Sequence, residues 1–285
     1  MRKLFSKNMF NISIVLYKPD KLQVINLLET LLQSQFLHRI YLIDNSPDPV
    51  ENWQFSSDKI VYQWNDGKNL GYGAAHNIAI RESVFDDIAF HLVMNADILV
   101  QPKDLDKLNL FMRQNYEVGL VQPKILNPDG TVQHVAKLLP RPWDVFARRF
   151  LPAAWTRKSN ERYELQRNKM GQLVNADYHL SLNVPYLSGC FMFLRTKAVL
   201  EAHLFDERYF MYPEDIDLTR SIHRNFLTLF LPNITIVHNH EKGSYKSFKL
   251  LWIHIVNMCR YFNKYGWFFD KERRVINRKT IDQLP

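Results

Sequence analysis

Short apolar runs alternate with longer stretches of helical periodicity up to about residue 115. The runs are rich in β-branched residues and end at turn-forming or polar residues, which is typical of buried strands. Between them, apolar residues recur every three or four positions, as on one face of a helix. We predict strands at 11–17, 39–44, 59–64 and 89–94, and helices at 22–32, 73–82 and 102–114.

The second half of the chain is less regular. A turn signal stands at 127–130, and no clear periodicity remains from 140 to 183, where Arg, Pro and Trp are mixed. Long insertions of this kind are often lids or binding loops, so we expect a partly helical insert there. Further on we predict a strand at 185–194, a helix at 214–224, and two short strands within 228–237, around Pro232 and Asn233.

The alternation of strands and helices implies the fold class. It predicts an α/β fold with a Rossmann-like, mostly parallel sheet and flanking helices. Near the C-terminus the spacing predicts an amphipathic helix. Its apolar stripe is Phe248, Leu251, Trp252, Ile255, Met258, Cys259 and Phe262, and its opposite face is Lys246, Lys249, Asn257, Arg260 and Lys264. Such a helix commonly packs on its own domain, but the aromatic and basic residues of 265–279 also suit an anionic lipid surface.

Composition and charge narrow the classes of partner. The chain has 285 residues, 46% of them hydrophobic, a formal net charge of +8 and a pI near 9.3. This excess of positive charge suits nucleic acid or an anionic membrane surface. Basic residues concentrate at 141–169 and from 242 onward, without a zinc-finger or RNA-binding motif, so we expect the membrane surface and no nucleic acid.

Cysteine usage and hydropathy indicate the compartment. Cys190 and Cys259 lie in apolar stretches and form no disulfide framework, so a reducing compartment is expected. The apolar stretch after the N-terminal basic residues is broken by Asn8 and Asn11, which argues against a signal peptide. No run approaches the roughly 20 apolar residues that a membrane-spanning helix needs.

Carboxylates concentrate among aromatic residues at 205–218. Such a setting would make the acids repel one another and lose hydration, so stability explains it poorly and an active site is the better hypothesis. Part of the cluster also has a structural explanation, because acids in the first turn of a helix complement its dipole. Asp97 follows a predicted buried strand, where it could present a metal ligand to a cleft or simply cap the next helix.

Other strand and helix ends carry candidate ligands with weaker signals. Asp44 ends a predicted strand and could bind a nucleobase or ribose, although Asp-Asn-Ser is equally a turn. Gly71 and the small residues after it could bring backbone N–H groups to a phosphate, or could simply allow tight helix packing. His238 follows a strand and, taken alone, is equally a hydrogen-bonded loop residue.

These segments together resemble the family 2 glycosyltransferases, inverting enzymes of the GT-A fold, and within them the rhamnosyltransferase-like branch. The resemblance covers most of the first 240 residues. It rests on the motifs at 13–17, 43–46, 69–77, 95–97, 188–192, 205–218 and 236–238. Asn95 stands where the strict Asp-x-Asp metal motif has an acid, a departure that also occurs in this branch.

The resemblance implies a role for each motif residue. Asp215, in the Glu-Asp-x-Asp motif, would be the catalytic base, and Glu214 and Asp217 would serve the acceptor side, Asp217 by orienting the site or a basic residue such as Arg220. Asp97 and His238 would hold Mg²⁺ or Mn²⁺, with the diphosphate held by Lys242, Ser244 and Tyr245. The nucleotide-sugar would be bound by Tyr17, Asp44, Asn69, Gly71, Asn77, Asn95 and Asp97.

The resemblance also implies substrates and a location. They are dTDP-L-rhamnose as donor and a lipid-linked or growing surface polysaccharide as acceptor, on the cytoplasmic face of a bacterial inner membrane. We expect a GT-A domain at 1–240, with the insert at 140–183 on the acceptor side, and a membrane-associating helical segment at 241–285.

Three alternatives remain open. The first is a transferase that uses a UDP-linked galactofuranosyl or hexosyl donor. The second is a sugar-phosphate nucleotidyltransferase, although the Gly-rich basic loop expected after its first strand is lacking at 16–20. The third is a nucleic-acid-binding protein, whose phosphate the acids at Asp97, Glu214 and Asp215 would repel unless a metal is present.

Overall fold

The computed structural model describes residues 8–50, 53, 55, 57–145, 151–239 and 248–285. Twelve strands and eight helices are named here within those residues. The strands are β1 (Phe10–Leu16), β2 (Leu37–Asp44), β3 (Ile60–Trp64), β4 (Phe90–Met94), β5 (Ile98–Leu99), β6 (Val118–Leu126), β7 (Val132–Gln133), β8 (Ala136–Lys137), β9 (Leu182–Asn183), β10 (Tyr186–Leu187), β11 (Phe191–Arg195) and β12 (Leu227–His238). The helices are α1 (Lys21–Leu31), α2 (Tyr72–Phe85), α3 (Pro102–Gln114), α4 (Ala153–Tyr163), α5 (Thr196–Glu201), α6 (Glu214–His223), α7 (Phe248–Tyr265) and α8 (Lys271–Ile281).

The main sheet has the order β3-β2-β1-β4-β11-β6-β12-β5, with β7 beside β6 and β9 beside β12. Strands β3, β2, β1 and β4 pair in parallel, as do β6 and β12, while β11 runs antiparallel between β4 and β6. The predicted α/β class, with a mostly parallel sheet and flanking helices, is confirmed. As a result, the carboxyl ends of β1, β4 and β12 meet at one edge.

The early elements form for the reasons that the sequence indicates. Six of the seven residues of β1 are buried, because helices cover both faces of this central strand. The side chain of Asp20 accepts hydrogen bonds from the backbone N–H groups of Leu22 and Gln23 and so caps α1. Helix α3 has Pro102 in its first turn, a position that needs no N–H donor.

The prediction of two short strands within 228–237 is wrong. Residues Leu227–His238 form one strand, β12, which pairs with β6 along its length. The register changes between Leu231 and Thr235, so Pro232 and Asn233 lie in a bulge. A bulge accommodates a proline, which has no N–H for the ladder, without ending the strand.

The prediction of a single strand at 185–194 is also wrong. The segment contains β10, then a turn at Gly189 and Cys190, and then β11, which ends at Arg195. The turn brings Gly189 next to Asp215, where the backbone N–H of Gly189 donates to a carboxylate oxygen of Asp215 at 3.0 Å. The turn between the two strands therefore helps to position Asp215, a candidate site residue.

The expected insert is packed on the main core where it is described. It contains α4, and Tyr163, Leu165 and Tyr178 are buried among the core residues. The hydroxyl of Tyr178 donates to the carbonyl oxygens of Ala136 and Glu164, 2.6 Å from each. These contacts fix the insert against β8.

The C-terminal helices are integrated into the molecule. Ile281 and Leu284, at the end of α8, are buried in the main core cluster. Arg220 of α6 is buried and pairs with Asp270, with nitrogen–oxygen distances of 2.7 and 2.8 Å. Its guanidinium also lies 3.9 Å from the ring centroid of Tyr265. Helices α7 and α8 are thus anchored to the helix that begins with Glu214.

The predicted faces of the amphipathic helix are wrong in part. The buried residues of α7 are Asn257, Met258, Tyr261 and Phe262. Asn257, predicted on the outer face, is buried because its amide donates to the carbonyl oxygen of Met211 at 2.9 Å. Phe248 and Trp252, predicted on the apolar stripe, are 85% and 64% exposed. Among the described helices, none is both long and apolar enough to cross a bilayer.

Candidate active site

A cleft of about 740 Å³ opens at the edge where β1, β4 and β12 end. Open α/β sheets bind ligands at this edge, because neighbouring chain segments diverge there. Its polar lining consists of Tyr17, Asp20, Gln23, Tyr72, Asn95, Asp97, Gln133, His134, Lys137, Ser188, Tyr212, Glu214, Asp215 and His238. The acids from the two halves of the chain therefore face one space.

Asp97 and His238 lie together in this cleft. The Nε2 atom of His238 is 3.1 Å from Oδ1 of Asp97. The sheet fixes this approach, since His238 pairs with Ile98 of β5, and the N–H of Asn239 donates to the carbonyl oxygen of Asp97. Burial lowers the pKa of His238, but the Asp97 carboxylate and the Cys190 thiol outweigh burial and raise the pKa to about 10.

Gln133 sets the orientation of the His238 ring. Its amide nitrogen donates to the carbonyl oxygen of His238 at 3.1 Å and to Oδ1 of Asn127 at 2.8 Å. The amide oxygen therefore faces Nδ1 of His238, at 3.0 Å, and can only accept a hydrogen bond. In the neutral ring, this places the proton on Nδ1 and turns the Nε2 lone pair toward Asp97.

The pair fits a divalent cation. A carboxylate oxygen and an imidazole nitrogen are suitable ligands, and two neighbouring ligands about 2.1 Å from one ion are about 3 Å apart. The observed separation is 3.1 Å. No group of three or more His, Cys, Asp or Glu side chains within the described ranges could hold an ion. An ion here would therefore need further oxygens, which substrate phosphates commonly supply to Mg²⁺.

Asp215 lies deeper in the same cleft. Its Oδ2 accepts from the backbone N–H of Gly189 at 3.0 Å, and its Oδ1 accepts from that of Ile216 at 2.8 Å. Each carboxylate oxygen keeps a further lone pair that can accept a proton or a hydrogen bond. Burial raises the pKa of Asp215, while the two N–H groups and Lys137 oppose the rise. The result is an oriented carboxylate with increased basicity.

Glu214 is the buried neighbour of Asp215. Its Oε2 has no hydrogen-bond partner among the described residues, although less than a tenth of the residue is exposed. Burial raises its pKa, and the negative charge of Asp215 adds to the rise. A carboxyl group that keeps its proton near neutral pH can donate a hydrogen bond to a ligand in the cleft.

A second pocket, which we call the outer pocket, lies on the other side of Asp215. It has a volume of about 280 Å³ and a mainly apolar and aromatic lining. The lining consists of Lys137, Pro140, Val145, Tyr163, Tyr186, Tyr212, Pro213, Asp215, Ile216, Leu250, Leu251, His254 and Met258. Asp215, Lys137 and Tyr212 line both the cleft and the outer pocket.

Several site residues were missed at the level of sequence. The hydroxyl of Tyr72 is 3.1 Å from Oδ1 of Asn95 and donates to the carbonyl oxygen of Gly189 at 2.6 Å, which ties three motifs together. Tyr72 lies within the Gly71–Gly73 motif and could have been found from it. Gln133 and Lys137 lie on short strands after the 127–130 turn, and no local pattern marks them.

Some predicted nucleotide-sugar residues line the cleft and others do not. Tyr17, Asn95 and Asp97 line it. Asp44 ends β2 as predicted, but it is buried outside the cleft lining. Its carboxylate accepts from the backbone N–H of Ser46 at 2.8 Å and from the hydroxyl of Tyr62 at 2.7 Å. Both carboxylate oxygens of Asp44 therefore already accept a hydrogen bond from the protein.

Asn69, Gly71 and Asn77 have structural roles in the described geometry. Asn69 is exposed, and its side chain accepts from the backbone N–H of Gly71 at 3.0 Å. Gly71 has a φ of 85° and packs against the backbone of Phe210, where a Cβ would clash. Asn77 is buried and is bonded to both backbone groups of Phe205. In the described geometry these three residues hold α2 against the 205–210 segment and do not line the cleft, and their assignment to the nucleotide-sugar stays a prediction.

Asp217, for which an acceptor role is predicted, does not line the cleft in the described geometry. Asp217 points away from the cleft and pairs with Lys264 of α7 at 2.8 Å. The predicted partner Arg220 instead binds Asp270 and Glu272. In a helix, successive residues differ by about 100° in direction, so residues 215 and 217 face opposite sides. Lys242, Ser244 and Tyr245 lie outside the described residues.

Comparisons with known proteins agree with the resemblance. The chain is 29% identical over 196 residues to the N-acetylglucosaminyl-diphospho-decaprenol L-rhamnosyltransferase of Mycobacterium tuberculosis, in strains CDC 1551 and H37Rv. The match covers 62% of this chain, and the chain spans 59% of the length of these curated relatives. A scan against protein-family models gives no match.

Solved structures show the same fold at low sequence identity. GalNAc-T7, crystallised with UDP, GalNAc and Mn²⁺, superposes with a TM-score of 0.59 at 14% identity, over 91% of this chain and 50% of that one. S. aureus TarS gives a TM-score of 0.53 at 14% identity, over 86% of this chain and 39% of that one. The predicted GT-A fold is thereby confirmed, and the curated relatives show a likeness to an L-rhamnosyltransferase.

Proposed function

We propose that this chain, with its GT-A glycosyltransferase fold and its relation to an L-rhamnosyltransferase, transfers a sugar from a nucleotide-sugar to an acceptor hydroxyl with inversion. The observation that carries the proposal is the position of Asp215. Its carboxylate lines both the cleft that contains Asp97 and His238 and the apolar outer pocket. A base at such a boundary can act on an acceptor from one side while the donor lies on the other.

In the proposed reaction, Asp215 takes the proton of the acceptor hydroxyl. The acceptor oxygen then forms a bond to the anomeric carbon of the donor sugar. The bond between that carbon and the diphosphate oxygen breaks on the opposite face, and its electron pair leaves with the nucleoside diphosphate. A positioned base of this kind contributes typically 10²–10⁴-fold to the rate. The N–H groups of Gly189 and Ile216 hold the carboxylate in place during the transfer.

Asp97 and His238 are the residues that would hold Mg²⁺ or Mn²⁺, with Gln133 fixing the ring of His238. When bound, the cation would neutralise charge on the leaving diphosphate. Oδ1 of Asn95 lies 3.1 Å from the hydroxyl oxygen of Tyr72, at the same edge of the cleft. The hydrogen bond from His238 to Gln133 supports a preorganised donor side.

We assign acceptor binding to Glu214 and the outer pocket. The carboxyl of Glu214 faces the cleft beside Asp215, and a protonated carboxyl could donate to a second acceptor hydroxyl. The insert supplies Pro140, Val145 and Tyr163 to the outer pocket, which agrees with the expected acceptor-side role of 140–183. Aromatic rings such as Tyr186 offer flat apolar surfaces to a sugar or to a lipid chain.

The proposed donor is dTDP-L-rhamnose and the proposed acceptor is a lipid-linked saccharide. The supporting observation is the relative's name, which states an L-rhamnosyl transfer and a diphospho-decaprenol-linked N-acetylglucosamine. A lipid-linked acceptor also agrees with a peripheral location on the cytoplasmic face of a bacterial inner membrane. Exposed aromatic residues of α7 and the net charge of +8 support contact with an anionic lipid surface.

The test separates chemistry from donor binding. We expect Asp215→Asn to reduce transfer by at least about 100-fold, because an amide cannot take the acceptor proton. Donor binding should be nearly unchanged, as measured by thermal stabilisation with dTDP-L-rhamnose and Mn²⁺. Asp97→Asn should instead weaken the Mn²⁺-dependent stabilisation. If UDP-galactofuranose or a UDP-hexose stabilises the protein and dTDP-L-rhamnose does not, the proposed donor is wrong and the UDP-sugar takes its place.

Asp217→Asn is the matched control for Asp215→Asn. It removes the same charge two residues away, but its side chain faces Lys264 outside the cleft. We expect it to lower stability while transfer per folded molecule stays within about threefold of the wild type. Near-normal transfer by Asp215→Asn would refute the assigned base.

A further inference from the structure

A basic groove lies between the insert and the last helix, beside the outer pocket. It has a volume of about 450 Å³ and is lined by side chains of 138–144, α4, Lys169 and α8. Six of its lining residues are basic and two are acidic. The basic residues are Arg141, Arg162, Lys169, Arg273, Arg274 and Arg278, and the acids are Asp144 and Asp282. The groove thus gathers both basic segments that the sequence shows.

Acids within the groove neutralise only part of this charge. Asp144 binds Arg141 at 2.7 Å and Asp282 binds Lys169 at 2.9 Å. Arg162, Arg274 and Arg278 form no ion pair with any residue that the structure describes. All three are exposed, and two of them are on α8 one turn apart. Three guanidinium groups therefore line one groove without being paired to a carboxylate of the described residues. Their mutual repulsion lowers the stability of the folded protein.

The wall behind these arginines is held firmly. Arg273 is buried, and its guanidinium donates to the carbonyl oxygens of Pro140 and Trp267. The side chain of Asn277 bonds to both backbone groups of Leu139 at 2.9 Å. The segment before α4 and the helix α8 are therefore joined by direct hydrogen bonds. A rigid wall lets the exposed arginines bind a ligand without ordering the backbone first.

We infer that this groove binds phosphate groups carried by a lipid. Guanidinium groups match phosphate oxygens in two-point hydrogen bonds, and several of them in one concave site select for multiple negative charges. The groove shares Tyr163 with the outer pocket, so a phosphate bound here lies beside the proposed acceptor position. The binding itself does not depend on the transfer reaction, and its failure would leave the assignment of Asp215 untouched.

Two sources offer this chemistry. One is the diphosphate that joins a lipid to its saccharide, and the other is the headgroup of an anionic phospholipid. Both present phosphate at the end of a hydrocarbon chain, and the exposed aromatic residues Phe248 and Trp252 of α7 offer apolar contacts to a lipid surface. Free nucleic acid also carries phosphate, but it lacks the apolar part that the outer pocket would accept.

The test uses the full chain in EDTA, so that phosphate binding through a metal at Asp97 does not contribute. The groove variant is Arg162→Gln with Arg278→Gln. Its control is Lys103→Gln with Lys197→Gln, which removes the same charge from α3 and α5. The probes are farnesyl diphosphate, vesicles of phosphatidylcholine with phosphatidylglycerol, and a single-stranded oligonucleotide. Binding is measured by calorimetry for the first and third probes and by co-sedimentation for the vesicles.

We expect the groove variant to bind at least one lipid phosphate about tenfold or more weakly, and the control to stay within about twofold of the wild type. Loss with farnesyl diphosphate alone identifies the acceptor's diphosphate as the ligand, and loss with vesicles alone identifies phospholipid headgroups. Equal binding of both lipid probes by all three proteins would overturn the inference. So would a loss confined to the oligonucleotide. Circular dichroism confirms that the variants are folded.

Discussion

Neighbouring carboxylates in α6 have different surroundings and therefore different chemistry. Asp215 accepts two backbone N–H bonds, Glu214 is buried with an oxygen that lacks a partner among the described residues, and Asp217 pairs with Lys264. Sequence spacing shows that the side chains of 215 and 217 point in different directions and that 214 and 217, three positions apart, are neighbours on the helix surface. It does not show which side of the helix faces the cleft. The turn at Gly189 places Asp215 toward the cleft, and the sequence predicts strand structure at this position.

The raised pKa of Glu214 predicts a pH-dependent stability. The pKa of Glu214 in the folded protein is about 8, compared with an ordinary value of 4.5. Burial is the larger cause of this rise, and the negative charge of Asp215 is the second. A raised carboxyl pKa means that the folded state holds its proton longer, so stability is full below pH 4.5 and falls as the pH rises toward 8. Glu214→Gln cannot titrate at this position. Relative to it, the free energy of unfolding of the wild type should fall by up to about 1.4 kcal/mol per pH unit as the pH rises.

Urea unfolding of both proteins from pH 4.5 to 8.5 measures this difference. The free energies of unfolding should converge at the acidic end and separate toward the alkaline end, with the wild type becoming the less stable protein. Parallel curves over the whole range would show that Glu214 titrates normally, and would remove its proposed role as a hydrogen-bond donor near neutral pH.

Strand ends define the positions of single residues, but they do not define the directions of the side chains. Asp97 and His238 were correctly expected to come close, because both follow strands of the same sheet. Asp44 also ends a strand, but Tyr62 of the neighbouring strand occupies its carboxylate. Asn77 matched a motif, yet its amide is used by the backbone of Phe205. Partners distant in sequence are not visible in local patterns.

At the scale of elements, the attachment of α8 depends on a buried ion pair. Arg220 is almost completely buried and binds Asp270 and Glu272. We expect Arg220→Ala to lower the free energy of unfolding by about 3–5 kcal/mol, because it leaves Asp270 buried without its partner. Arg224→Ala should cost less than about 1 kcal/mol, since Arg224 is half-exposed and shares Glu272.

Urea unfolding followed by far-ultraviolet circular dichroism compares these two variants. Equal destabilisation by both would mean that the ion pair does not anchor the C-terminal helices, and that packing of Ile281 and Leu284 is sufficient.

Element predictions were most successful for the regular first half. Strand 39–44 was observed as Leu37–Asp44, and helix 102–114 as Pro102–Gln114. Errors arose where a long-range pairing overrides a local break. Pro232 signals a strand end, but β6 continues to pair with the chain through the bulge. Helical structure within 140–183 was expected and is present as α4, while the contact of this segment with β8 through Tyr178 could not be predicted from local patterns.

At the scale of the whole molecule, exposed aromatic residues predict membrane contact through α7. Phe248 and Trp252 are 85% and 64% exposed on the apolar half of that helix. Transfer of two such side chains into a bilayer interface should be worth more than about 1.4 kcal/mol, so Phe248→Ser with Trp252→Ser should weaken binding to anionic vesicles at least about tenfold. Co-sedimentation with vesicles measures the change.

The control for this prediction is Phe85→Ser, at the end of α2, where Phe85 is 86% exposed. It removes an equally accessible aromatic ring from another element and should leave vesicle binding within about twofold of the wild type. Equal weakening by both variants, or by neither, would contradict a docking role for α7.

The outer pocket has a practical consequence for handling the protein. Its wall is completed by Leu250, Leu251, His254 and Met258, which belong to the same helix as the exposed aromatic residues. Shortening the chain to gain solubility would thus dismantle the chamber beside Asp215 and uncover the interior that Ile281 and Leu284 seal. To obtain an active protein without detergent, single substitutions of the exposed aromatic residues of α7 are a better choice than deletion of the C-terminal helices.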